Sequence, residues 1–443
     1  LTEPKFNPEQ IESFRLTGFE FDHASLKLQL NYALDDQHQF TESIVFVGGR
    51  VPTGDRLNTL YGCFSLLHAL AGISYYKAAV PAKIICEQHT PDPKTAMFLE
   101  QVYLSGLAEF AYSNQLHLQQ SIVFPKIEHA QSELKAPKPG LVVPIGGGKD
   151  SLVTIDLLQR SGCKFRLISV GQSALIAELT KKTGLPHICI QRQLDPHLFE
   201  LNRLGAYNGH VPISAILAAV MLCGAYLYDY DTVLMSNERS ANAPNLVLDN
   251  GFEVNHQYSK GLAFEQNYTE LLAQVYAPGF RYFSLLRPWS ELAIAKYFAE
   301  NVEYDAFFSS CNRNFSLTNS ANSRWCGQCP KCRFVFLAFA PFMDKARLLK
   351  IFGQNLLDDE RQISHFEALL GLSGIKPFEC VGEVEESRAA LNALAQRSEW
   401  LSDVVVAALS PNLNPKDDLN ACLQFHDEHL IPDQFLQIAH ALG

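Results

Sequence analysis

Leu141-Val142-Val143-Pro144-Ile145-Gly146-Gly147-Gly148-Lys149-Asp150-Ser151 joins one apolar run to the start of another. Leu141 to Ile145 reads as a buried strand, and a helix is predicted from about Asp150. Three consecutive glycines let the backbone turn tightly and approach an anion, while the free N–H groups of a helix start favour phosphate. Ser151 adds a hydroxyl donor and Lys149 a positive charge. A Walker loop requires Ser or Thr directly after the Gly-Lys pair and Gly five residues before the second glycine, where this chain has Asp150 and Val143. The dinucleotide fingerprint also fails, because its third glycine falls at Ser151. An anion loop of another kind remains, against the plainer alternative of a glycine turn between strand and helix.

Beyond this loop, strands and helices alternate. Strands are predicted at Phe165 to Val170, His187 to Ile190 and Thr232 to Met235, with a helix at Ser173 to Thr183 and a long apolar helix at Val211 to Tyr228. This order implies an α/β fold, a parallel sheet with helices on both faces that binds ligands at the carboxyl ends of its strands. The long apolar run approaches membrane-spanning length, but Pro212, Ser214 and Gly224 interrupt it and a strand follows, so a buried helix is expected.

Lys126 to Gly140 is rich in lysine, proline and glutamate without periodicity and reads as a linker. Before it, Leu26 to Leu34 alternate at period two and Ser43 to Val47 is strand-like. A helix is expected at Leu57 to Gly72, and another starts at Asp92-Pro93, whose stripe of Leu99, Val102, Tyr103, Gly106, Leu107 and Phe110 faces a core. The expected organisation is an amino-terminal α+β domain over 1–135, a nucleotide domain over 140–343 and a helical carboxyl-terminal region over 344–443, with turns at Pro377, Pro411, Pro415 and Pro432.

The chain has 443 residues, 36 basic and 47 acidic side chains, a formal charge of −11 and 47% hydrophobic residues. That apolar share supports a full core, and the acidic balance argues against a nucleic-acid partner. Eleven cysteines are an odd number in a chain too long to need staples, so a reduced, cytoplasmic protein is expected. Leu1 to Gln10 is polar and broken by prolines, unlike an export signal.

Cys326, Cys329 and Cys332 are spaced at two-residue intervals, and Cys311 lies upstream. Two overlapping knuckles and one distant thiol suit a closed tetrahedral zinc site, structural because no position stays open. An iron–sulfur cluster is the rival, but the ferredoxin run places its fourth cysteine where Phe336 stands. Arg324, Lys331 and Arg333 flank the thiols and are expected to offset their charge.

The glycine loop resembles the Ser-Gly-Gly-x-Asp-Ser element of the ATP pyrophosphatase (PP-loop) superfamily, with Gly146 in place of the first serine. The resemblance implies a HUP-like adenine nucleotide hydrolase domain in which Gly146, Gly147, Gly148, Lys149, Asp150 and Ser151 hold the phosphates of ATP and Asp150 meets Mg²⁺. The same order of loop and cysteine cluster is found in the 7-cyano-7-deazaguanine synthases, where the metal is zinc.

Further stretches narrow the likeness: Ser74 to Pro81, Asn237 to Ala241, Glu253 to Gln257, Ser259 to Gly261, Phe308 to Phe315, Arg324 to Gly327, Asn355 to Asp359 and Lys376 to Cys380. From about Phe14 to about Glu385 the chain resembles the UDP-N-acetylmuramoyl-L-alanyl-L-glutamate epimerases of bacterial cell-wall synthesis. The resemblance implies inversion of the terminal L-Glu of a UDP-MurNAc dipeptide through an acyl-adenylate, with release of AMP and pyrophosphate.

Polar residues at predicted strand ends and helix starts are the candidates for that chemistry. His210 precedes the long apolar helix, where a neutral imidazole is favoured. His256 and Lys260 would share a face if their segment were helical. Glu238 is a second base or a metal ligand. Arg239, Arg287 and Arg313 are candidate substrate contacts, bidentate toward carboxylate or phosphate. The competing functions are an adenylating synthetase or RNA-modifying enzyme built on the same loop, and a zinc-bearing interaction protein with an inactive loop.

Overall fold

The computed structural model describes residues 5–118, 122–128, 133–315 and 324–443. Residues 1–4 of the polar start and 129–132 of the expected linker lie outside the described residues.

The chain opens with an antiparallel meander of β1 (Ser13–Asp22), β2 (Lys27–Leu34) and β3 (His38–Val45). After α1 (Asp55–Ala71) and α2 (Ile73–Tyr76), β4 (Lys83–Cys86) returns parallel to β1. Next come α3 (Pro93–Gly106) and α4 (Ala108–Ser113). The Asp92 carboxylate caps α3 by accepting from the N–H groups of Lys94 and Thr95, with Pro93 in the first turn, as the sequence predicts.

The alternating region follows as β5 (Leu141–Pro144), α5 (Lys149–Arg160), β6 (Arg166–Val170), α6 (Ala174–Thr183), β7 (His187–Gln193), α7 (Pro196–Leu204), α8 (Ile213–Tyr228) and β8 (Thr232–Met235). A small hairpin, β9 (Leu246–Val247) with β10 (Glu253–Val254), precedes α9 (Leu262–Leu271), β11 (Arg281–Ser284), α10 (Glu291–Ala299) and α11 (Pro330–Phe339). The remainder is helical, as expected: α12 (Lys345–Phe352), α13 (Ile363–Leu369), α14 (Val384–Leu394), α15 (Val404–Leu409), α16 (Leu419–Cys422) and α17 (Asp433–His440).

One nine-stranded sheet has the order β11-β8-β5-β6-β7-β3-β2-β1-β4. Its first five members are parallel. The other four are not an independent sheet, because β7 runs three residues past the expected His187–Ile190 and pairs Gln191, Arg192 and Gln193 with β3. The buried Glu42 carboxylate accepts from Arg192 Nε at 2.6 Å across that seam. The amino-terminal strands assigned to 1–135 are therefore continuous with the parallel sheet. The polar stretch after Lys126 reads as a linker locally, but strand pairing between distant residues reunites the two parts.

Two cores flank the parallel strands, and successive residues enter them in turn. Val142, Ile168, Val233 and Tyr282 enter the first core, while Val143, Leu167, Leu234 and Phe283 enter the second. This is the period-two geometry of a strand buried on both faces. The first core holds α1 and α8, whose apolar surface is buried nearly all round. Among the described residues no helix is long and apolar enough to cross a membrane. The second core joins α5, α10 and α11 to the carboxyl-terminal helices, where Trp289 Nε1 donates to Ala439 O at 2.8 Å.

Candidate active site

Because the five strands from β11 to β7 are parallel, the segments after β5, β8 and β11 emerge at one end of the sheet. That is where such sheets bind ligands. The glycine loop fills the step from β5 to α5. Gly147 adopts φ +95°, and a Cβ on Gly148 would lie 2.7 Å from Ser310 Oγ. A Cβ on Gly146 would meet nothing within 4 Å, so that residue faces open space. No side chain caps α5, which leaves its first N–H groups for a ligand. Ser151 Oγ donates to Gly148 O at 3.2 Å.

Lys149 departs from its expected role. Its side chain is buried and ion-paired with both Asp150 and Glu291, the first residue of α10. Its charge is thus engaged beneath the loop, and the donors the loop offers are backbone amides and the Ser151 hydroxyl. Glu291 also accepts from Lys331 Nζ at 3.0 Å. Burial works against ionisation of Glu291, but the two lysines outweigh it and hold the carboxyl at about 2. Glu238, just after β8, is buried too. Burial, then the charges of Glu291 and Asp150, push its carboxyl above the usual range despite Lys260 and Lys331.

His256 and Lys260 do not share an α-helix. Val254 ends β10, and Tyr258–Lys260 form a short 3₁₀ turn, so the two side chains are fixed by partners from elsewhere. His256 Nδ1 pairs with Glu109 of α4. Lys260 Nζ donates to Cys380 Sγ at 3.0 Å. Burial opposes protonation of His256, but its hydrogen bonds to Cys380 and Glu109 prevail and lift it to about 9. Burial likewise opposes ionisation of Cys380, but Lys260 and then His256 bring its thiol down to about 6.

His210 packs against His256 with ring centroids 4.2 Å apart and the ring planes tilted by 40°. It is neutral, as expected, at about 3. The causes are burial and then the charges of His256 and Lys260, rather than the start of α8, which begins only at Ile213. Glu109, His210 and His256 lie close enough to ligate one ion. The protonated His256 and the nearby Lys260 oppose a cation there.

Cys311, Cys326, Cys329 and Cys332 place their sulfurs within 4.8 Å of one another. Backbone N–H groups of Gln328 and Cys329 reach Cys326 Sγ at 3.4 and 3.3 Å, and the Cys332 N–H reaches Cys329 Sγ at 3.4 Å. Amide donors around a converging thiol quartet suit a closed tetrahedral thiolate site. Of the cations expected to offset it, Arg324 pairs with Glu178 at 2.7 Å and Lys331 turns to Glu291. Arg333 stays beside the thiols.

The three arginines expected to bind substrate separate. Arg287 is wholly buried and donates to Glu238 O at 2.7 Å, to Lys260 O and to Glu265 Oε2 at 3.0 Å. It ties together the segments that carry Glu238 and Lys260, and its terminal nitrogens are turned to the protein. Arg313 is exposed and donates to Gln328 Oε1 at 2.9 Å. One buried terminal nitrogen of Arg239 has no hydrogen-bond partner among the described residues.

Sequence reasoning gave no role to Glu109, Glu291, Cys380 or Lys77. Lys77 is buried, held at about 8 by burial, and donates to Asn208 Oδ1 at 2.7 Å just before His210. The only sequence signal for Lys77 and Cys380 is that both lie in the resembling stretches. An apolar cavity of about 280 Å³ adjoins α4 and the β9–β10 hairpin, lined in part by Ala108, Tyr112, Phe252 and Val254. A larger one, about 610 Å³, lies away from these groups beside Asp92, Thr95 and Tyr276.

Comparison with known proteins agrees with the span of the resemblance. Residues 5–285 match the MurL N-terminal domain and 307–422 the MurL C-terminal domain, so the first unit contains the whole sheet and the second the thiol quartet. A relative from Xanthomonas oryzae pv. oryzae is 45% identical over 438 residues, 96% of each chain. Relatives from a Micromonospora species and from Salinispora tropica are 41% and 40% identical, each over 92% of this chain and over 92% and 90% of their own lengths. All three are named UDP-N-acetyl-alpha-D-muramoyl-L-alanyl-L-glutamate epimerase. With full-length similarity at this level and both domain models in sequence, the chain belongs to the MurL family of UDP-N-acetyl-alpha-D-muramoyl-L-alanyl-L-glutamate epimerases.

Proposed function

We propose that this chain is an isomerase of peptidoglycan precursor synthesis that converts the terminal L-Glu of UDP-MurNAc-L-Ala-L-Glu to D-Glu in the cytoplasm, with ATP as the activating co-substrate. The observation that carries the reading is the meeting, at one end of a parallel sheet, of an uncapped glycine loop and a set of buried groups with displaced protonation. A Cα–H beside a carboxylate is a very weak acid, because its removal adds a second negative charge to the same group. Joining that carboxylate to AMP as an acyl-phosphate anhydride, with pyrophosphate leaving, removes the first charge, so a modest base can act before water cleaves the anhydride to carboxylate and AMP.

In this scheme the amides of Gly146 to Gly148 and the Ser151 hydroxyl hold the phosphates. Asp150 suits Mg²⁺ as a single carboxylate beside them. Lys149 keeps the loop anchored to Glu291. His256 and Lys260, both cationic, are poor bases and serve instead to attract the developing enolate. His210, held neutral, and Glu238, whose carboxyl burial pushes upward, are the candidates for one of the two proton-transfer roles. Arg239 contacts a carboxylate or phosphate of the substrate. The thiol quartet suits Zn²⁺, which when bound supplies a cross-link between Cys311 and the start of α11.

The test is incubation with UDP-MurNAc-L-Ala-L-Glu, ATP and Mg²⁺ in deuterated water. The expected products are the D-Glu epimer carrying deuterium at Cα, AMP and pyrophosphate. Pyrophosphate without exchange at Cα would instead indicate an adenylating synthetase, and ATP binding without turnover an inactive loop.

A further inference from the structure

We infer that Cys380, backed by His256 and Glu109 and flanked by Lys260, is one of the two proton-transfer groups that act on the glutamyl Cα. This deepens the epimerase reading and rests on it. Carboxylate, imidazole and thiol form a row of partners, Glu109 pairing with His256 Nδ1 and His256, with Lys260, bearing on the Cys380 thiol. That is the arrangement by which a base is oriented and a sulfur activated. The row is assembled from segments far apart in the chain, and Lys260 adds a second cation at 3.0 Å.

Four thiols outside the metal quartet behave in the opposite way, two of them buried and two, like Cys380, half-buried. Cys63, Cys86, Cys223 and Cys422 are pushed upward by burial, as expected of inert core residues. Cys380 keeps part of its surface exposed. It is also connected to the nucleotide loop. Its neighbour Glu379 accepts from the Lys331 N–H at 2.9 Å, Lys331 Nζ reaches Glu291, and Glu291 pairs with Lys149 at the start of α5. The charged groups facing the sulfur are Lys260, His256, Lys331 and Glu379, with Glu109 behind the imidazole.

In the step, the Cys380 thiolate forms an S–H bond as the Cα–H bond breaks, and the electron pair enters the enolate of the activated acyl group. The second group, on the opposite face, then delivers its proton to Cα. Exchange with water returns both groups to their starting states. Sulfur acts only as a base, so no covalent enzyme–substrate bond forms.

The experiment compares the unmodified chain with Cys380→Ser in deuterated water with ATP and Mg²⁺, starting separately from the L-Glu and the D-Glu nucleotide-dipeptide. Cys380→Ser is expected to lose inversion in both directions by roughly 10²–10⁴-fold. It should still exchange the Cα proton of one epimer but not of the other, since the remaining group serves one face. On the unmodified chain, carbamidomethylation of Cys380 by iodoacetamide, followed by peptide mass spectrometry, should reach half its maximal rate near pH 6. Substrate with ATP should slow it about tenfold or more, as occlusion worth at least 1.4 kcal/mol.

Exchange of both epimers by Cys380→Ser at unmodified rates overturns the proposal. So does labelling that is indifferent to substrate, or an acyl adduct on Cys380, which would make the sulfur a nucleophile. The labelling arm does not depend on how the variant folds. Absence of Cα exchange in the unmodified chain marks failure of the epimerase reading itself, which takes this proposal with it.

Discussion

Lys260 Nζ donates to Cys380 Sγ at 3.0 Å, joining residues 120 positions apart. The pair links the 3₁₀ turn after the hairpin to the segment ahead of α14. Removing the cation should release the thiol. In Lys260→Met the pH midpoint of Cys380 alkylation is expected to rise from about 6 by about 1–3 units, the shift an opposite charge at this range produces. An unchanged midpoint would show that Lys260 does not control the sulfur.

The glycine loop separates space from backbone conformation. Gly146→Ser meets no neighbour, and it places a serine where the resembling superfamily has one. Its KM for ATP is expected to stay within about threefold of the parent, a difference under 1 kcal/mol. Gly147→Ala forces a side chain onto φ +95°. That costs roughly 1–2 kcal/mol, or about tenfold in kcat/KM for ATP, measured by pyrophosphate release.

Arg287 and Arg239 should part company in two different assays. Arg287→Ala leaves the buried Glu265 carboxylate without its ion pair and is expected to cost about 3–5 kcal/mol in urea unfolding. Arg239→Ala removes a nitrogen that has no hydrogen-bond partner among the described residues. It should leave stability nearly unchanged and raise KM for the nucleotide-dipeptide, by about tenfold or more if one charge-assisted bond of 1.5–3 kcal/mol is lost.

The thiol quartet should hold about one zinc per chain, measured by inductively coupled plasma mass spectrometry. Cys329→Ala should lose the metal and melt at a lower temperature, because the link between Cys311 and α11 is then cut. Iron with a visible absorption band in the unmodified chain would replace zinc with an iron–sulfur cluster.

Acid sensitivity follows from buried imidazoles. His68 is held neutral at about 4, chiefly by burial, against an ordinary value of 6.5. A depressed histidine adds stability that is fully present above 6.5 and lost as the pH falls through 4, because the unfolded chain takes up the proton first. His68→Gln should therefore flatten the fall in stability between pH 6.5 and 4, by up to about 1.4 kcal/mol per pH unit. Urea unfolding at several pH values checks the slope.

Much of this architecture was legible in the residues. The β5–loop–α5 step, the apolar α8 and the Asp92 cap of α3 carry their signals within a dozen positions, as periodicity, glycine and capping chemistry. The four cysteines announce themselves by spacing. Other features left no such trace. The last three residues of β7 look like loop, yet they join the two parts of the sheet through β3. Lys149 reads as a phosphate ligand until Glu291 appears beneath it. His256 and Lys260, four apart, suggested a helix face, but the chain there is a turn held by Glu109 and Cys380.

By itself the sequence determined the order of strands and helices, the glycine loop and the thiol quartet, because each depends on neighbours along the chain. Only the tertiary structure decided which cations are already paired and which thiol has cations set against it. Those properties come from charges more than 100 positions away, such as Glu109 on His256 and Cys380 on Lys260. Electrostatic energy depends on distance through space, and that distance exists only once the nine strands have paired.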